Sequence, residues 1–400
     1  MNKKQFCKNI VMVGMIFCLL QGCGKDKEIE TEEATKLETT IQIETTTQME
    51  TKEYQIESYE KVNYLSLLDL EKEEDVVLIY DIEENHILFH ISYDYKAGEE
   101  GFREEGYASY TKRLVVVDTE KNCISREIML DPSYLCTDAI FLEGEIICVY
   151  LIKNQDPVSY QYQIVRYQGD TSEVIKSESC YPYENSVPWL ARLGNQNFAY
   201  SYYSYQTGEF GVNIVNKENQ ITPSLSLLLC DESDKEETLP LSMVLTENKS
   251  EYMLYAAVNG KGVVFIGDEE KVEQFEIPSR ERVYQLCFVG ENICAMMEVI
   301  DEKDLTSTYS VMLKDRKGNN LVEKRVWDIL YVLGSDFHQN VLGMTYSGQP
   351  YLIHCDKDIT VKKQENLPYP SEWKLFYSIG ESEFYVFYMN RLELYKVVIR

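Results

Sequence analysis

An all-β fold of seven four-stranded sheets set around a common axis is what the sequence predicts, on three observations. From about residue 53 onward, runs rich in Tyr, Ile, Val and Phe are short, separated by turn residues, and free of any long period-3.6 stripe. A unit of apolar run, tight turn, then apolar or aromatic run recurs along the chain. Each of the first six units adds a second hairpin, and its last strand is the more polar one.

In chain order the first hairpins read "VVLIYDIEENHILFHISY", "AIFLEGEIICVYLI", "WLARLGNQNFAYSYY", "SMVLTENKSEYMLYAAV", "YQLCFVGENICAMMEVI", "LYVLGSDFHQNVLGMTY" and "KLFYSIGESEFYVFYMN". Their turns centre near Glu84, Gly144, Gly194, Asn248, Gly290, Gly334 and Gly380, at spacings of 60, 50, 54, 42, 44 and 46 residues. Five of the seven carry glycine, which supplies the positive φ that tight hairpins need. The second hairpins include "LVVVDTEKNCISREIML", "VVFIGDEEKVEQFEI" and "VMLKDRKGNNLVEKRV". Three apolar strands followed by an alternating one fit sheets whose inner strands are covered on both faces and whose outer strand meets water.

The seventh unit stops after "RLELYKVVIR", one strand short. The segment "KEYQIESYEKV" at the other end of the domain has no partner of its own and can supply that strand, which removes two exposed edges. The pattern over residues 53–400 resembles the β-propellers and their ring closure. The resemblance implies seven four-stranded blades, with the N-terminal strand completing the last. Six or eight blades are the alternative counts, and an irregular stacked β-structure is the rival architecture. "VWD" at Val326–Asp328 occurs once, in a fourth strand, so it marks no WD repeat.

Ahead of this domain lie two other segments. Lys3, Lys4 and Lys8 precede an apolar core from Ile10 to Leu20, about half of the ~20 residues that span a bilayer. A short core behind a basic start reads as an export signal. Leu20-Gln21-Gly22-Cys23 resembles the lipobox of bacterial lipoproteins. The resemblance implies a signal peptide over 1–22, a diacylglycerol on the thiol of Cys23, and a chain held on the extracytoplasmic face of the cell membrane. A plain signal peptide with an incidental cysteine is the alternative. Residues 23–52 are rich in Thr and Glu and lack aromatics and proline, the composition of a disordered tether. A coil of that length reaches about 30 Å on average.

The 400 residues carry a net charge of −28. Residues 1–22 hold three lysines and no acid, so their removal takes the charge to −31. Such a chain is a poor match for nucleic acid, whose binding depends on neutralised phosphates, and it would not lie flat on anionic lipid. Eight cysteines follow Cys23, and an exported chain can form disulfides. Cys287 and Cys294 in "CFVGENIC" are symmetric about Gly290-Glu291. A two-residue turn there puts them opposite each other at ~5.5 Å between Cα atoms, inside the disulfide window. A disulfide and a packed pair of thiols both fit that spacing.

Motifs for chemistry are sparse. No G-x-S-x-G elbow, phosphate loop, H-E-x-x-H helix or CxxC pair occurs. His86 and His90 share a strand face but lack an evident third ligand, which favours core or rim histidines over a metal site. The acidic loop Asp231–Thr238 has Lys235 where a calcium ligand belongs and no glycine at the sixth position. No metal and no cofactor is therefore expected.

The 31 tyrosines are more suggestive. Tyr95, Phe102 and Tyr107 fall in the longest second-to-third loop, Tyr205 in the corresponding loop of the third unit, and Tyr183 and Trp189 in a between-unit connector. In a propeller these loops and connectors share one face, so the six residues are the candidate ligand-binding set. The plainer reading is that tyrosine simply suits strands. The expected function is a non-enzymatic module that binds a protein, peptide or other ligand such as a glycan. The alternatives are an extracellular glycan-active enzyme with an axial carboxylate site, and an envelope sensor or assembly factor.

Overall fold

Residues that alternate along a strand point to opposite faces of its sheet. In the middle strands here both alternating sets are apolar, so each sheet has two faces to bury and must be flanked on both sides. The computed structural model describes residues 54–400, apart from 71–73, 95–108, 132, 156–157, 181–186, 195, 205–206, 229–242, 259–260, 280, 301–305, 327, 329, 331–332, 346 and 370. The signal segment, Cys23 and the tether lie outside the described residues.

The first strand, β1 (Ile56–Val62), leads through a 3-10 turn (Tyr64–Leu68) into blade one: β2 (Glu74–Glu83), β3 (His86–Asp94), β4 (Ser109–Asp118) and β5 (Cys123–Met129). Blade two is β6 (Tyr134–Leu142), β7 (Glu145–Gln155), β8 (Val158–Gln168) and β9 (Thr171–Cys180). Blade three is β10 (Leu190–Leu193), β11 (Asn197–Ser204), β12 (Glu209–Val215) and β13 (Ile221–Leu228). Blade four is β14 (Met243–Glu247), β15 (Tyr252–Val258), β16 (Lys261–Gly267) and β17 (Val272–Ile277). Blade five is β18 (Glu281–Val289), β19 (Asn292–Ile300), β20 (Ser307–Lys314) and β21 (Asn320–Val326). Blade six is β22 (Gly334–Ser335), β23 (Asn340–Met344), β24 (Pro350–Cys355) and β25 (Ile359–Lys363). Blade seven takes β26 (Leu375–Gly380), β27 (Glu383–Tyr388) and β28 (Glu393–Ile399) from one end of the chain and β1 from the other. The expected seven-bladed β-propeller, closed by the N-terminal strand, is the observed fold.

Among the described residues there are seven hydrophobic cores, one at each blade–blade interface. Neighbouring residues of one strand serve different interfaces. On β3, Phe89 packs between blades seven and one, and Leu88 between blades one and two. On β19, Ala295 packs between blades four and five, and Cys294 between blades five and six.

The outer strands are shielded in another way. Register shifts where β1, β5, β9, β13 and β21 pair with their neighbours mark bulges that spoil five of the seven outer edges for further pairing.

Blade six corrects one expectation. Gly334 lies in strand β22, and the turn is Asp336–Gln339. Glycine is needed at 334 for close approach. A Cβ there would come within 2.7–2.8 Å of Phe376 in the next blade. The turn is held instead by Asp336, whose Oδ1 accepts the backbone N–H groups of His338, Gln339 and Asn340 at 2.9–3.0 Å.

The meander of each blade sorts its connections onto two faces. The first-to-second and third-to-fourth turns lie on one, here the hairpin face. The second-to-third loops and between-blade connectors lie on the other, the connector face. Because β1 is the fourth strand of its blade, the chain reaches it from the hairpin face. Gln55 and Arg400 exchange backbone hydrogen bonds of 2.9 and 3.0 Å there, and the Tyr54 ring stacks on His354 at 3.4 Å between centroids.

Truncation tests the closure. A chain beginning at residue 53 should unfold at the full-length midpoint. One beginning at residue 64 should melt roughly 5–10 °C lower, and a synthetic 53–63 peptide should restore part of the difference. Calorimetry of the three samples is the check.

Candidate functional site

Around the axis, the innermost strands bring charged side chains into otherwise apolar runs. Asp81 on β2, Asp138 on β6, Arg192 on β10 and Glu247 on β14 come from four consecutive blades. The Arg192 guanidinium lies 2.7 Å from Glu247 Oε1 and 3.3 Å from Asp81 Oδ1. These three side chains are 9–16% exposed.

Each carboxylate also accepts a backbone N–H from an adjacent blade. Asp81 Oδ2 takes that of Phe141, and Asp138 Oδ2 that of Leu190, both at 2.7 Å. Glu247 Oε2 takes that of Arg192. The inner strands thus gain partners on the edge that their own sheets leave open. Bulges next to Asp81 and Asp138, at Tyr80 and Thr137, let these strands turn their acids toward the neighbour.

Burial raises the pKa of Asp81 from the usual carboxylate range to about 6, against the pull of Arg192 and with a further push from Glu247. Burial takes Asp138 to about 7, partly offset by backbone N–H groups of Leu190 and Ala139. A carboxyl with a pKa near neutrality suits general acid chemistry. An acceptor already bonded to a neighbouring blade suits a stitch. Here both descriptions hold for the same groups.

The residues expected to bind ligand fare differently. Tyr95, Phe102, Tyr107, Tyr183 and Tyr205 lie outside the described residues, as does the loop 231–238. Trp189 is described. It sits on the connector face just before β10, with Ser201 holding both its backbone groups at 2.9 and 3.0 Å. Its ring packs beside the cluster shared by blades three and four, to which Tyr203 also adds. The Trp189 ring nitrogen is buried without a hydrogen-bond partner among the described residues.

Cys287 and Cys294 are direct register partners, as the spacing requires, and both are free thiols. The Cys287 Sγ instead lies 3.9 Å from the Cys294 backbone oxygen.

The histidines separate. His86 approaches Asp118 at 3.8 Å on the hairpin face. His90 is buried against the Tyr80 ring, and burial lowers its pKa to about 3. Among the described residues no group of three or more His, Cys, Asp or Glu side chains is arranged to hold a metal ion.

The axial acids escaped the sequence reading because a chain with 67 acids offers too many pairs. Alignment of the repeats would have found them. "LIYDIE", "LCTDAIFL", "WLARLG" and "MVLTEN" each put a charge in a first strand, where the neighbours are apolar.

No family model matches the chain, and no curated protein does. Several solved structures are similar to the chain at low identity. BamB from Moraxella catarrhalis is 10% identical with a TM-score of 0.48, over 86% of this chain and 99% of that one. A chain of a mitotic checkpoint complex is 8% identical with a TM-score of 0.48, over 95% and 99%. The β-propeller domain of the Trilobed protease from Pyrococcus furiosus is 11% identical with a TM-score of 0.39, over 67% and 94%. Identities this low say nothing about what the chain binds.

Two substitutions probe the axis. Arg192→Met leaves Asp81 and Glu247 buried without their cation and should cost on the order of 3–5 kcal/mol in denaturant unfolding at pH 7.5. Asp138→Asn should do the opposite. A raised carboxyl pKa favours the native state at low pH, and that contribution is lost as pH rises from 3.8 toward about 7. The Asn variant should therefore match wild type at pH 4 and melt a few degrees higher at pH 8.

Proposed function

We propose that this chain is a lipid-anchored, extracytoplasmic binding module. Cys23 carries the lipid, residues 24–52 form an acidic tether, and the connector face of the propeller meets a protein or peptide partner. The observation that carries this reading is the geometry of arrival. The chain enters β1 from the hairpin face, where Tyr54 rests on His354, and Trp189 stands on the opposite face. An anchor ahead of Tyr54 therefore joins the propeller at the face opposite Trp189 and leaves the connector face free of the attachment. None of the helices among the described residues is long and apolar enough to cross a membrane. Two acyl chains meet the requirement for stable anchoring.

A second reading draws on Asp138. A carboxyl at about 7 beside Asp81 and Glu247 is the kind of acid that a glycan hydrolase uses. The stitching of these carboxylates to backbone N–H groups weighs against it, because each would break a blade contact to reach a substrate.

Cell fractionation and labelling decide the anchor. Wild type should take up labelled palmitate and sediment with membranes, and Cys23→Ser should do neither. A Cys23→Ser chain that still sediments and takes up label would end the lipoprotein reading. For the face, deleting Lys96–Ala108 or substituting Trp189→Ala should weaken any purified partner at least tenfold in titration. Equal loss on changing Asp138→Asn instead would favour the axial site.

A further inference from the structure

Between blades five and six lies a group of thiols that none of the roles above employs. Cys287 on β18 and Cys294 on β19 are register partners, and Cys355 on β24 joins them from the adjacent blade within one apolar cluster. The Cys294 thiol interacts with both of the others. All three are free thiols, exposed by 7%, 0% and 3% in that order. Packing alone asks for small apolar side chains at these positions, but it does not ask for three sulfurs in one cluster. They are not disposed as metal ligands.

We propose that Cys287, Cys294 and Cys355 form a thiol relay that, in an oxidising compartment, ends in a Cys294–Cys355 disulfide bridging blades five and six. The oxidant is a small disulfide of the glutathione class. In the first step the Cys287 thiolate, the most exposed of the three, attacks one sulfur of the oxidant. A mixed disulfide forms and one glutathione thiolate leaves. In the second step the Cys294 thiolate attacks Cys287 Sγ, which closes Cys287–Cys294 and releases the second glutathione. In the third step the Cys355 thiolate attacks Cys294 Sγ, the S–S bond moves to Cys294–Cys355, and Cys287 returns to a thiol with the proton that Cys355 gave up. Overall two thiols lose two electrons and two protons, and one small disulfide becomes two thiols.

The direction of the relay follows from chain topology. Cys287 and Cys294 enclose a hairpin, whereas Cys294 and Cys355 enclose three strands of blade five and three of blade six. Closing the longer loop removes more freedom from the unfolded chain, so the interblade bridge is the more stabilising end point. The neighbouring Cys287 thiol raises the pKa of Cys294 and the Cys294 thiol that of Cys355, with burial adding to both. Thiolate is therefore scarce at neutral pH, and the relay should run faster as pH rises.

The test is oxidation of the purified full-length chain in glutathione disulfide at pH 7 and pH 8.5, followed by alkylation, digestion and mass mapping. Wild type should yield Cys294–Cys355 peptides, more quickly at pH 8.5, with a midpoint several degrees higher that reverts on reduction. Cys355→Ser should stop at Cys287–Cys294. Cys287→Ser should reach the same bridge at least tenfold more slowly. Three thiols that stay alkylatable after prolonged oxidation of folded wild-type protein would overturn the proposal. So would a wild-type end point at Cys287–Cys294. Because the mapping is done on wild type, poor folding of a variant leaves the result readable.

Discussion

The structure depends on one constraint: its sheets are apolar on both faces. A sheet with one apolar face can finish its burial against a single partner. A sheet with two needs a neighbour on each side, that neighbour needs another, and the sequence of neighbours ends only where it meets itself. Adjacent residues such as Phe89 and Leu88, or Ala295 and Cys294, already encode this by serving different interfaces. The ring follows from strand chemistry repeated often enough to close.

Closure places the innermost strands side by side, each with one edge that its own sheet leaves unpaired. β10 has four residues and β22 only two. Backbone groups near the axis would go unsatisfied in a strictly apolar centre, and buried polar groups need partners. Asp81, Asp138 and Glu247 supply them, each reaching the N–H of a residue in an adjacent blade. Arg192 offsets part of the resulting charge. Seven apolar interfaces therefore surround these polar groups, and the raised pKa values of Asp81 and Asp138 follow from burying acids there.

Much of this was legible in the residues. The repeat, the polar fourth strands, the missing strand of blade seven and its replacement by β1 all follow from patterns of period two and their interruption. The Cys287–Cys294 register was legible because a two-residue turn fixes it. Three features were not. The role of Gly334 is set by Phe376, some 40 residues away, so a local reading assigned it to a turn. Cys355 joins the other thiols only through the packing of two blades. The axial acids gain meaning from convergence across four blades, which single-strand patterns do not display.

The way β1 closes the ring has a mechanical consequence. β1 runs antiparallel to β28 through six register pairs from Ile56 to Val62, with Glu57–Arg400 and Lys61–Glu393 ion pairs toward its two ends. Any pull on the residues before Tyr54, directed away from the hairpin face, acts along the strand axis. The pairs then bear load together, in shear, and do not unzip one after another. Attached this way, the propeller would resist tension at the very joint where its chain ends meet.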